Sequence, residues 1–332
     1  MPTFSKNAPL PLPDDNHVIA NEAPVYHIGI PNPMFEGDLN LYVIAGDPLT
    51  VIDTGIGTPE ALVVLEAGLA ARGFSVEDVR RVVLTHKHAD HIGLAREIHD
   101  RSGAPVFVHE DDWDGVANLD ARHEEFVPLV RRRLQSFHVP ESEIENLAKT
   151  LGKGKRLARQ TEAEKLRGGD RLPISGVDLE VIHTPGHTQG SICLSYGRHL
   201  FSGDHVLPTI SPNIGAGEMR RRGMMTRFLN SLDRVAPLAS EDLIVLPGHG
   251  QPFSTLLERI EQLKAHHGQR ERAILEVLRQ GDPKTVYEVA RSLWSKLPGY
   301  HLVLGTSEVN AHLEKSIDDG QVREHDGRFS AV

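Results

Sequence analysis

Four short stretches of this chain run apolar and then break into metal-ligating residues. Val82–Leu84 leads into Thr85-His86-Lys87-His88-Ala89-Asp90-His91, and Ile182 into His183-Thr184-Pro185-Gly186-His187. Leu200-Phe201 leads into Ser202-Gly203-Asp204, and Ile244–Leu246 into Pro247-Gly248-His249. Apolar runs of this length read as buried strands, and layered α/β folds present functional groups where such strands end. A chain with four such endings is constrained to bring them to one edge of a sheet core.

The first stretch alone supplies three His and one Asp within six residues. On a strand, His86 and His88 would project from one face because side chains alternate with period two. Asp90 and His91 then follow where the chain turns, and serve a neighbouring position. The residues therefore predict two adjoining cation sites: His86, His88 and His187 on the first, Asp90, His91 and His249 on the second, with Asp204 bridging them. Pro185-Gly186 and Pro247-Gly248 each precede a His, a rigid residue followed by a permissive one. Nitrogen and oxygen donors suit two divalent ions, Zn(II) first, with Fe or Mn as alternatives. A hydroxide held between two such ions is a nucleophile at neutral pH without a separate base.

Along the chain, Val25–Ile28, Leu39–Ile44 and Leu49–Ile52 read as paired strands, and Pro59–Arg72 has helical spacing. A strand at Val82–Leu84, a helix from about Gly93 to Arg101 and a strand at Pro105–Val108 follow. Residues 109–168 are charge-rich with helical spacing and no strand signal, which predicts a helical insertion or lid. Strands resume at Val177–Val181, Ser191–Tyr196, His199–Phe201 and Leu243–Leu246. A long helix over Ser254–Gln280, a second to about Lys296, a third from near Thr306 (capped by Thr306 or Ser307) and a hairpin turning at Asp326-Gly327 outline a winged helix. The expected division is a catalytic domain over 1–262 and a winged-helix-like unit over 263–332.

A net charge of −10 argues against a general nucleic-acid binder. The single cysteine, Cys193, excludes an internal disulfide framework and suits a reducing compartment, and its apolar neighbours predict a buried structural thiol. The Pro-rich stretch Met1–Asp15 lacks the basic and apolar segments of a secretory signal, and no run is long enough to span a membrane. A cytoplasmic location is expected.

The motifs Asp53-Thr54-Gly55, Thr85–His91, Pro185-Gly186-His187-Thr188, Ser202-Gly203-Asp204 and Pro247-Gly248-His249-Gly250, in this order, resemble those of the metallo-β-lactamase superfamily. The resemblance implies an α+β fold, a four-layer αββα sandwich with the metals at one edge. It also implies that Asp53 orients the site from behind the ligands. The best-known true lactamases carry Cys where this chain has Asp204, so the ligand set looks instead like that of the glyoxalase-type thioesterases and related lactonases and ribonucleases. With the C-terminal elements, the chain is similar to the lactamase-like subgroup bearing a winged helix.

The expected activity is hydrolysis of a thioester, ester or lactone in a small anionic substrate. Phosphodiester or RNA cleavage and a non-catalytic metal-binding scaffold are the alternatives. Between Pro128 and Gln160 eight basic residues face three acidic ones, and Arg220-Arg221-Arg222 adds a second cluster, both suited to an anionic handle. From Arg270 onward nine basic residues meet ten acidic ones, a poor footprint for nucleic acid. The tail therefore reads as structural or dimer-forming. His205 is a candidate proton donor to the leaving group, and Tyr42, Tyr196 and Asn213 are candidate oxyanion donors. His266, His267, His301 and His312 read as surface or packing residues.

Overall fold

The computed structural model describes residues 22–32, 37–151, 157–216, 218 and 221–332. The expectations placed on Met1–Asp15, on Lys153, Lys155 and Arg156, and on Arg220 lie outside them.

Strands β1 (Val25–Ile30), β2 (Leu39–Ile44) and β3 (Thr50–Ile52) form an antiparallel meander, with Val25 opposite Ile44 and Tyr42 opposite Ile52. β4 (Arg81–Val83), β5 (Val106–His109) and β6 (Glu164–Leu166) extend it in parallel, giving a six-stranded sheet in chain order. The second sheet holds β7 (Arg171–Ile174), β8 (Val177–His183), β9 (Ile192–Tyr196), β10 (His199–Gly203) and β11 (Ile244–Pro247) in the order β11-β10-β9-β8-β7. The sheets meet face to face through Tyr42, Ile52 and Val83 on one side and Leu179, Leu194 and Phe201 on the other.

Helices α1 (Pro59–Ala70), α2 (Ala89–Ile92) and α3 (Ala95–Ser102) follow β3 and β4. Thr58 caps α1, accepting the Ala61 N–H at 3.2 Å, and Pro59 occupies its first turn. Leu65, Leu69 and Ile98 cover the outer face of the first sheet. Between β5 and β6 run α4 (Asp114–Ala117), α5 (Leu119–Ser136) and α6 (Glu141–Leu151). α7 (Met224–Val235) and the first half of α8 (Leu256–Arg279) cover the second sheet, packing Phe228, Leu232 and Ile260 on Leu200 and Val245. Each such fully buried side chain contributes about 1.5–3 kcal/mol of transfer free energy. The result is the expected αββα sandwich.

After α8 come α9 (Val286–Leu293), α10 (His301–Asp318), β12 (Val322–His325) and β13 (Arg328–Ala331). The hairpin turns at Asp326 (φ 50°) and Gly327 (φ 72°), as the Asp-Gly pair predicts. Val130, Leu134 and Ile144 of the insertion share one apolar cluster with Ile274, Val289 and Leu313. The insertion is thus anchored on the C-terminal helices rather than standing alone.

Several expectations are corrected. Glu164–Leu166 is a strand inside the stretch read as purely helical; it is three residues long and its first two side chains are exposed, so no alternation betrays it. The stretch after His88 is two helices, α2 and α3, separated at Gly93-Leu94. α9 ends at Leu293 rather than Lys296, and α10 starts at His301. Thr306 and Ser307 lie buried within α10, where the Thr306 hydroxyl donates to the Leu302 carbonyl at 2.6 Å instead of capping. Among the described residues, no helix is long and apolar enough to cross a membrane.

Candidate metal centre

β4 ends at Val83, and His86 and His88 stand in the loop beyond it rather than on the strand, with His88 as the residue preceding α2. Their approach comes from loop geometry, not from strand alternation. Nδ1 of His88 lies 3.0 Å from Nε2 of His86 and 2.9 Å from Nε2 of His187. Three ring nitrogens thus converge where one hydrogen could satisfy only one pair. Asp90, in α2, and His91 meet His249, whose Nε2 lies 3.6 Å from Asp90 Oδ2. Asp204, directly after β10, stands between the groups. Its Oδ2 is 3.6 Å from Nε2 of both His187 and His249, and its Oδ1 is 3.4 Å from Nε2 of His91. All seven predicted ligands are brought together, in three overlapping sets whose donor atoms lie within 4.8 Å of one another.

The ring nitrogens pointing away from this convergence are held by the protein, which decides which nitrogen faces inward. His187 Nδ1 donates to the Asn213 carbonyl at 2.8 Å, leaving Nε2 as the lone pair. His91 Nδ1 donates to Asp53 Oδ2 at 2.8 Å. Asp53 also accepts the Thr85 N–H at 2.7 Å and the Thr85 hydroxyl at 2.8 Å, and that hydroxyl lies 3.1 Å from His86 Nδ1. Asp53 is held at φ 57°, a left-handed conformation uncommon outside glycine and maintained here by its buried contacts.

Burial, reinforced by the neighbouring imidazoles, holds His86 and His88 well below the usual histidine range, so both present lone pairs at neutral pH. Burial also works against charge on His91, but the Asp204 and Asp53 carboxylates outweigh it and raise its pKa well above 6.5. For Asp204, burial is outweighed by His249, His91 and His86, and the carboxyl titrates well below its usual range. His91 Nε2 and Asp204 Oδ1 are buried, lie 3.4 Å apart and have no closer hydrogen-bond partner. Deeply placed, convergent, nitrogen-and-oxygen donors with hydrogen-bond capacity left over fit divalent cations, which take such lone pairs directly.

Gly248 fits the same geometry, for a reason other than backbone freedom. A Cβ there would lie 2.3 Å from Asp204 Oδ1 and 2.8 Å from the His91 ring. His205 is buried and packs edge-on to Phe228 with ring centroids 5.2 Å apart. Burial drives it down to about 3, so at neutral pH its ring carries no extra proton to give a leaving group. The three candidate oxyanion donors have other partners. Tyr42 donates to the Pro247 carbonyl at 2.8 Å, the Tyr196 hydroxyl accepts the Ala23 N–H at 2.9 Å, and Asn213 Nδ2 donates to the Leu304 carbonyl at 3.1 Å. Cys193 is fully buried, and burial pushes its thiol up to about 12, as a structural role requires.

Sequence reasoning missed Thr85, Asp112 and Glu218, all buried beside the centre. Lys87, between two ligands, pairs with both carboxylates. His109, Asp111 and His183 form another cluster, but the two imidazoles are stacked, 3.8 Å between centroids and 17° between planes. Lone pairs in stacked planes run parallel and do not meet on one ion. In the tail, His267 and His312 are buried rather than on the surface; His267 lies 3.0 Å from the Ser211 hydroxyl.

The sandwich and the convergent His/Asp edge define a class, and comparison with known proteins agrees: residues 35–249 match the family model of the metallo-beta-lactamase superfamily, to which the chain belongs. It is a metal-dependent hydrolase of that superfamily. It is 29% identical over 306 residues to the probable metallo-hydrolase YqjP of Bacillus subtilis, covering 87% of this chain and 91% of that protein. The crystal structure of metallo-beta-lactamase family protein TTHA1429 from Thermus thermophilus superposes with a TM-score of 0.79 at 31% identity, covering 93% of this chain and 98% of that one. A hydroxyacylglutathione hydrolase of Xanthomonas oryzae pv. oryzae is 27% identical over 213 residues, 64% of this chain and 61% of that protein.

Proposed function

We propose that the chain hydrolyses a thioester, ester or lactone bond of a small substrate, with thioesters first, at a centre of two divalent cations. The observation that carries this reading is the convergence of two His-rich donor sets on either side of Asp204. His86, His88 and His187 would hold one ion, Asp90, His91 and His249 the other, and Asp204 would face both. The donor set suits Zn(II), with Fe or Mn as alternatives. When bound, such ions supply Lewis acidity toward the carbonyl oxygen and a water-derived nucleophile at neutral pH. The protein's own part is orientation: Asp53 and the Asn213 carbonyl fix the inward-facing nitrogens of His91 and His187. Asp at 204, rather than Cys, and the likeness to a hydroxyacylglutathione hydrolase support the thioester reading.

The basic insertion lends less support to an anionic handle than its composition suggests. Arg131 pairs with Glu141, Arg159 lies 3.9 Å from Glu97 and 3.7 Å from Asp100, and Arg133 stacks on Phe137 within 3.8 Å of Glu314. Those pairings also weigh against a phosphodiester substrate. Residues 263–332 are read as a winged-helix-like unit with a structural role.

The test is thiol release from a panel of acyl-coenzyme A and acyl-glutathione thioesters by zinc- or manganese-loaded protein. Turnover that a chelator abolishes is expected. Absence of release across the panel would overturn the thioester reading and bring lactones forward.

A further inference from the structure

Asp53 braces one side of the centre, and Asp112 occupies the matching place on the other. Asp112 follows β5 and is completely buried. Its two oxygens serve the two loops that carry His86, His88 and His187. Oδ2 accepts the main-chain N–H of Lys87 at 3.1 Å and the Thr188 hydroxyl at 2.6 Å. Oδ1 accepts the Gly190 N–H at 3.0 Å and lies 3.3 Å from the Lys87 ammonium. Lys87 stands between His86 and His88, and Thr188 directly follows His187. The second loop closes tightly on this carboxylate, since a Cβ on Gly190 would lie 2.6 Å from Asp112 Cγ. The Lys87 ammonium also pairs with Glu218, which accepts the Gln189 N–H at 3.0 Å.

A buried carboxylate is costly to leave partly satisfied, so sliding one loop past the other is resisted by charge-assisted bonds on both. Metal coordination tolerates errors of only about 0.2 Å in ligand distance, so two loops that share an ion need such a tie. We propose that Asp112 is a positioning residue that locks His86, His88 and His187 into a single unit, as Asp53 does for His91. The proposal rests on reading those three histidines as ligands of one ion.

The experiment measures zinc dissociation constants of the full chain by competition with a chromophoric chelator. The unsubstituted protein should take up two ions. Asp112→Asn should weaken one of them about 10–100-fold, the usual effect of losing a partner behind a ligand, and leave the other within about twofold. Asp53→Asn should weaken chiefly the other ion, through His91, with a smaller loss at the first through Thr85 and His86, and the double variant should weaken both. Thr188→Val removes only the 2.6 Å hydroxyl bond and should weaken the same ion as Asp112→Asn by roughly fivefold, deciding the matter even if the Asp112 variant fails to fold. Unchanged affinities for both ions in a folded variant, or Asp112→Asn and Asp53→Asn both weakening chiefly the same ion, overturn the positioning role alone. No zinc uptake by the unsubstituted protein overturns the reading of the centre itself.

Discussion

His91 and His187 flank Asp204 and are braced from very different parts of the chain. His91 leans on Asp53, which follows β3, while its own short helix, α2, lies beyond the adjacent, parallel β4. Both come from the first sheet, whose backbone pairing already fixes their separation. His187 leans on the Asn213 carbonyl, and Asn213 is tied through its side chain to Leu304 in α10. The loop after His187 is further held by Asp112, at the entrance to the insertion. The bracing of His91 is thus a product of the first sheet alone, while that of His187 depends on the segments added to the sandwich. Sequence changes in the insertion or the tail should therefore be felt first at the His187 side.

The largest effect should come from the residue both halves share. Asp204→Ala should lose at least one metal equivalent and nearly all turnover, read by metal analysis and thiol release. Two retained ions with full activity would remove Asp204 from its place between the halves.

Acidity should separate the halves next. Burial is outweighed at His91 by the Asp204 and Asp53 carboxylates, which raise its pKa, so a cation there competes with a proton to higher pH than at His86 and His88, which burial lowers. Affinity for the ion held through His91 should fall more steeply with falling pH than affinity for the ion held through His86 and His88. In chelator-treated protein the sign reverses. The His91–carboxylate pairing is fully present below the ordinary pKa of about 6.5 and is lost as pH rises through the raised value. Chelator titrations at about pH 6, 7 and 8 check the contrast, and parallel slopes for the two ions would abolish it.

The smallest effect should follow from Asn213→Ala. It deletes the tie to Leu304 but keeps the carbonyl that His187 uses, so about 1 kcal/mol, or roughly fivefold in affinity for the His187-side ion, is expected. Equal weakening of both ions, in the same competition assay, would show that the tail supports the whole centre rather than one side.

Much of this is legible in the chain itself. Apolar runs mark the central strands, and a ligand type after each run places the seven metal-binding candidates on one edge. What escapes notice is short or nonlocal. β6 presents Glu164 and Lys165 to solvent and looks like the charged helices before it. His86 and His88 read as strand residues because Val82–Leu84 is apolar, yet pairing stops at Val83 and a loop aims both rings. Asp112 sits in the run Glu110-Asp111-Asp112, where nothing local distinguishes a buried carboxylate from its exposed neighbours. Its meaning comes from Thr188 and Gly190, more than seventy residues away, brought there by the second sheet.

The 24 residues of α8 form a rod of about 36 Å. Leu256, Ile260 and Leu263 belong to the layer over the second sheet, while Ile274, Leu275 and Leu278 belong to the cluster shared by the insertion and the tail. The seam between the two cores is therefore continuous helix rather than an extended linker. Parting the chain near residue 262 would break helical hydrogen bonds inside α8 and bare Leu263, so the expected boundary between 262 and 263 falls within a helix that both cores share.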